Sequence, residues 1–106
     1  MKEIKAFIQT NMIDYVIDAI ENLPDAPGLT LSEVRGWGHA QEKEVAQLVQ
    51  RIKLETVVPT DRVNEIISVI IEKGRTGNHG DGKIFVSDVG KAVRIRTGET
   101  DEDVIR

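Results

Sequence analysis

LVQRIKLETVVPTDRVNEIISVIIEKG, residues 48–74, changes its hydrophobic period once, and that change decides the fold. Up to Val58 the side chains alternate. Ile52, Leu54, Thr56 and Val58 share one face, the period of a strand. Pro59-Thr60-Asp61 then opens a helix that carries Val63, Ile66, Ile67 and Ile70 on one side, and Gly74 closes it. The first half of the chain has the same order. Ile4, Ala6 and Ile8 alternate with Lys5, Phe7 and Gln9. Ile13, Val16, Ile17, Ile20 and Leu23 follow at helical spacing, with Asn11 as the expected N-cap. Pro24-Asp25-Ala26-Pro27-Gly28 stops that helix, and Leu29–Trp37 forms a second strand. Beyond Gly74, Lys83–Val89 reads as the last core strand and Val93–Arg96 as a short extra one. The pattern predicts an α+β fold, a ferredoxin-like βαββαβ sandwich with two helices on one face of an antiparallel sheet.

A chain of 106 residues holds one domain, here 1–106. A domain this small buries about two-thirds of its unfolded surface, so association with other copies would add to a modest core. With 40% apolar and 30% charged residues the composition is that of a globular protein. A net charge of −4 argues against direct nucleic-acid binding. The absence of cysteine excludes disulfides and thiolate chemistry. No stretch approaches the roughly 18 apolar residues of a membrane span, so no membrane insertion and a cytoplasmic location are expected.

Two connections are longer than a compact domain needs. One is the polar segment 38–47; the other is 75–82, with Gly77, Gly80 and Gly82. In the second, Gly80-Asp81-Gly82-Lys83 has the makings of an anion nest: glycines allow positive φ, successive N–H groups converge, and a lysine follows. A plain glycine-rich turn would look the same, and the spacing fails the Walker pattern because Ile84 follows the lysine. Arg94 and Arg96, read as an extended segment, place two guanidinium groups on one face, a pairing suited to phosphate oxygens. The bland alternative pairs them with carboxylates such as Glu99. His39 and His79 sit in separate loops without ligand spacing, so no metal site is expected. No nucleophile–base constellation is visible, and Asp14 and Asp18 make a solvated helix face. Enzyme activity is therefore not expected. Trp37, between Gly36 and Gly38, suits an interface anchor or a cleft wall.

These residues carry a resemblance. Met1 to Ala6, Gly28-Leu29-Thr30, Glu33 to Gly38, Gly80-Asp81-Gly82-Lys83-Ile84-Phe85-Val86 and Val93 to Glu99 resemble the PII nitrogen-regulatory family, nearly end to end apart from one loop. The resemblance implies a homotrimer binding ATP or ADP in clefts between subunits and regulating an enzyme or membrane transporter through the conformation of loop 38–47. It implies phosphate contacts from Gly80, Asp81, Gly82 and Lys83, joined by Arg94 and Arg96 from a neighbouring subunit. Phe7, Gly36, Trp37, Gly38, Glu55 and Val57 would line the adenine side, with Thr30 reaching the base from another subunit.

The chain also departs from the family pattern. Its partner loop is several residues shorter, and His39 to Gln50 contains no Ser, Thr or Tyr, which excludes hydroxyl-directed modification there. Ala40 stands where the family glutamine helps hold magnesium and 2-oxoglutarate. Gln41 is one residue late, and Arg51 replaces the lysine that meets the 2-oxoglutarate carboxylate. Both ligands are thereby put in doubt. The family's Lys-Pro-Phe-Lys run becomes Gln9-Thr10-Asn11-Met12, and residues 40–48 are rich in helix formers. The alternative reading is a PII-like regulator tied to heavy-metal efflux or tolerance, with weak or altered nucleotide use. Residues 97–106 form a C-terminal tail, of which Gly98 to Asp103 is acidic and expected to be mobile.

Overall fold

A computed structural model describes residues 1–38, 46–100 and 102–105. Its elements are β1 (Lys2–Ile8), α1 (Ile13–Glu21), β2 (Thr30–Gly38), β3 (Gln47–Val58), α2 (Val63–Gly74) and β4 (Ile84–Asp88). Single 3₁₀ turns span Thr60–Arg62 and Glu102–Ile105. The four strands form one antiparallel sheet in the order β2-β3-β1-β4. Both βαβ halves of the ferredoxin-like fold are present, and each follows its hydrophobic period.

Strand alternation sends Ile4, Ala6 and Ile8 of β1 and Leu54 and Val58 of β3 to the same buried face. The helices return the other half of the core at i, i+4 spacing: Val16 and Ile20 from α1, Ile66 and Ile70 from α2. Thr56 is the one polar side chain buried among the described residues. Its hydroxyl donates to the Gly28 carbonyl at 2.8 Å, fastening the turn before β2 to the sheet. Gly74 ends α2 under Val16 and Ile8; the following Arg75 is extended, so the helix stops without a left-handed residue.

Two sequence expectations are corrected. Asn11 is not the N-cap of α1: the chain closes a turn in which the Met12 N–H donates to the Gln9 carbonyl at 3.0 Å, and Met12 takes the capping position without a side-chain bond. Val93–Arg96 is not a strand. Only Val93 makes an isolated bridge, to Thr100, and the Gly98 N–H folds back on the Arg94 carbonyl at 2.7 Å. Gly98, with φ of +73°, allows that reversal, which strand periodicity cannot anticipate. In the tail, Glu102–Ile105 takes a 3₁₀ turn, and Ile105 lies in the hollow lined by Pro24, Val58 and Arg62.

The face of the sheet away from the helices carries Lys5, Phe7, Lys53, Glu55 and Phe85. Lys53 and Glu55 pair at 3.5 Å, and Phe7 meets Phe85 edge to face at 6.1 Å. No helix among the described residues covers this face. Among the described residues no helix is long and apolar enough to cross a membrane.

Candidate functional site

The glycine-rich segment after α2 is shaped by one carboxylate. Asp81 accepts hydrogen bonds from the Thr76 and Gly77 N–H groups, each at 2.9 Å, from the Thr76 hydroxyl, and from Gln9 Nε2 at 3.0 Å. The Thr76 hydroxyl, then the backbone N–H groups, hold its carboxyl below the ordinary aspartate range. Asp81 thus folds its own loop and ties it to the end of β1. Gly82 follows at φ of +96°, where an added Cβ would lie 1.8 Å from the Phe7 carbonyl oxygen. Only glycine lets the loop approach β1 this closely. The Lys83 carbonyl then accepts the Phe7 N–H at 3.0 Å and delivers the chain into β4.

Gly80 and Gly82 keep N–H groups without a partner among the described residues. They border a hollow of about 380 Å³. Phe7 and Phe85 line it from the sheet, Val34 to Gly38 from β2, Val49 and Arg51 from β3, and His79 and Lys83 from the loop. Arg51 and Lys83 supply positive charge beside aromatic and aliphatic surface. The hollow can take a flat apolar group together with an anionic one.

Of the residues singled out in the sequence, Phe7, Gly36, Trp37, Gly38, Gly80, Gly82 and Lys83 meet around this hollow, with Asp81 behind it. Thr30, Glu55 and Val57 do not. Cross-strand pairing of Thr30 with Glu55 places these three around a separate hollow of about 190 Å³, with Glu3, Gly28 and Thr56. Arg94 and Arg96 line neither. Arg94 instead pairs with Glu99 at 3.0 Å, inside the turn that replaces the expected strand, so the two guanidinium groups no longer share a strand face. His39 and Gln41 lie outside the described residues. Among the described residues no three His, Cys, Asp or Glu side chains come together as a metal site.

Sequence reasoning did not find Val34, Val49, Phe85 or Gln9 as parts of this site, and it singled out Arg51 only as the replacement of the lysine that meets 2-oxoglutarate. Val34 and Val49 were visible as strand residues, but their face depends on the β2–β3 register. Phe85 was legible in principle, lying two residues beyond Lys83 on a predicted strand. The bond between Gln9 and Asp81 crosses 72 positions and leaves no local signal.

Comparison with known proteins gives the same motifs a lineage. The family model described as "Nitrogen regulatory protein P-II" matches residues 1–99. This chain belongs to the PII family. A nitrogen regulatory protein P-II of Haemophilus influenzae is 40% identical, the alignment covering 99% of this chain and all of the relative. The Pasteurella multocida protein is 39% identical, and P-II 1 of Escherichia coli 37%, with the same coverage. Both PII alignments, to H. influenzae and to E. coli, run to 113 positions, longer than the 106-residue chain, so those relatives carry residues with no counterpart here. Membership places the chain among regulatory signalling proteins with the ferredoxin-like PII fold.

Proposed function

We propose that this protein is a cytoplasmic PII-type signal transducer that binds an adenine nucleotide, ATP or ADP, as a homotrimer and thereby regulates a partner enzyme or transporter. The observation that carries the reading is the loop from Gly80 to Lys83. It has glycine N–H groups without a partner among the described residues and a lysine at the mouth of a hollow walled by Phe7 and Phe85. Phosphate suits the first set and a purine ring the second. In this reading Gly80, Gly82 and Lys83 contact phosphate, and Asp81 acts through the loop it folds.

Two features support a site shared between subunits. Thr30, Glu55 and Val57 surround their own hollow, four residues further along β2 and β3. The sheet face bearing Phe7, Lys53, Glu55 and Phe85 has no cover among the described residues, and apposed copies would supply it. Arg94 and Arg96 would complete the site from a neighbour, with Arg94 leaving Glu99 for phosphate. The partner would read loop 38–47, since ligand in the hollow touches both of its anchoring strands at Gly38 and Val49. Differential affinity of ATP and ADP for two loop states is what makes such a device signal.

Magnesium and 2-oxoglutarate fit less well. Arg51, at the position of the carboxylate-binding lysine, gives its guanidinium to the Gln50 and Gly80 carbonyls, at 2.8 and 2.5 Å. Calorimetric titration of ATP, ADP and AMP, with and without magnesium and 2-oxoglutarate, tests the reading. Saturable ATP or ADP heat that is lost in Lys83→Ala supports it, and no heat from any nucleotide refutes it.

A further inference from the structure

The guanidinium of Arg51 joins two parts of the molecule that the backbone leaves far apart. Arg51 lies in β3, opposite Val34 of β2, on the stretch where the two strands run out together to Gly38 and Gln47. Its Nη2 donates to the Gly80 carbonyl at 2.5 Å across 29 positions, while Nη1 donates to the carbonyl of its neighbour Gln50 at 2.8 Å. It makes no ion pair with any described carboxylate. A charged donor on a neutral carbonyl is among the stronger hydrogen bonds a protein makes, and the planar fork fixes both acceptors at once.

The other side of the same loop is held to the residue after β1, Gln9, whose amide donates to Asp81, while the Thr76 and Gly77 N–H groups close the loop on the same carboxylate. The peptide between Gly80 and Asp81 is thus gripped from β3 on its carbonyl side and, through the Asp81 side chain, from Gln9 just past β1. Gly80 is buried, with Gly82 two residues on in a positive-φ conformation, so the loop has few alternative arrangements that keep the Gly80 carbonyl turned to β3.

We propose that Arg51 is a positioning residue, a latch that makes the Gly80–Lys83 loop and the β2–β3 hairpin one cooperative unit. The inference rests on the nucleotide reading above for its biological use, but the latch itself does not. A ligand that selects the latched loop conformation also selects the hairpin arrangement in which Arg51 can reach it, and so reports occupancy to the base of segment 38–47. Arg51 needs no contact with the ligand to do so.

Hydrogen-exchange mass spectrometry on the full chain, alone and with saturating ATP, tests this in wild type, Arg51→Gln and Arg51→Lys. Without ligand, Arg51→Gln is expected to speed exchange severalfold at Asp81, whose N–H is bonded to the Asn78 carbonyl, and, together with it, at 36–38 and 47–50; Arg51→Lys restores part of the protection. With ATP, wild type gains protection in both regions, whereas Arg51→Gln gains it only at 80–83 and binds three- to tenfold more weakly. Hairpin protection by ATP that persists unchanged in Arg51→Gln would overturn the coupling. A wild type that ATP neither heats nor protects would refute the nucleotide reading instead. The ligand-free comparison then still decides the latch: if Arg51→Gln leaves 36–38 and 47–50 unaltered, there is no latch.

Discussion

Gly82 and Asp81 show how much of the shape of a glycine-rich loop is made by its own side-chain bonds and backbone conformation. Gly82 is required twice, by its φ of +96° and by the Phe7 carbonyl lying where a Cβ would go. Gly82→Ala is expected to cost at least about 2 kcal/mol in denaturant-monitored stability, since a backbone atom must move. Gly77 has a comparable φ of +90° but open space around it, so Gly77→Ala costs about 1 kcal/mol. Equal losses at the two positions would contradict the packing account. Asp81 has its carboxyl lowered by the Thr76 hydroxyl and the surrounding N–H groups. A depressed folded value means that the stabilisation is complete above the unfolded carboxylate range, about 3.9, and is lost as pH falls through the folded value. Amide signals of Thr76 and Gly77 should therefore hold constant from neutral pH down to about 4 and shift only below it. A transition near pH 6 would show that Asp81 is not the group that orders the loop. Gly80-Asp81-Gly82-Lys83 stood out in the sequence by residue type alone, as a candidate nest. The division of labour within it did not, because Gln9 and Arg51 reach it only through tertiary contact.

At the scale of elements, the two halves were readable wherever one face is buried. β1, β3 and both helices follow from the alternation of Ile4, Ala6 and Ile8 and from the i, i+4 pairs Val16/Ile20 and Ile66/Ile70. Val93–Arg96 was misread because Val93-Arg94-Ile95-Arg96 alternates like a strand while its Ile95 is fully exposed; no buried face enforced the period. The turn is held by backbone bonds from Gly98 and Arg94 and by a surface ion pair between Arg94 and Glu99. Exposed pairs contribute little, so Glu99→Gln should change stability by less than about 1 kcal/mol in thermal melts. If Arg94 is shared with phosphate, the same variant should bind nucleotide no worse than wild type. Thr56 is the contrasting case. Thr56→Val removes a buried donor from the Gly28 carbonyl without changing volume much, and is expected to cost about 1 kcal/mol, read by chemical denaturation.

For the whole molecule, the arrangement of the sheet matters most. Helices protect one face; the other presents Lys5, Phe7, Lys53, Glu55 and Phe85, with Phe85 54% exposed. A domain of this size gains by covering such a face with copies of itself. The proposed trimer predicts a mass near three times the 11.8 kDa chain by light scattering, and Phe85→Glu should reduce that mass while a single-chain fold persists by circular dichroism. A monomer at micromolar concentration would contradict it. The sequence could suggest the trimer only by likeness, because an uncovered sheet face becomes visible once the helices have been placed.

The account's central claim is a nucleotide site built on the Gly80–Lys83 loop, and titration calorimetry of ATP and ADP against wild type and Lys83→Ala tests it most directly. The account predicts saturable binding in wild type, with affinity falling at least tenfold in the variant while the melting temperature is unchanged. Undiminished binding in Lys83→Ala, or none in wild type, would contradict it.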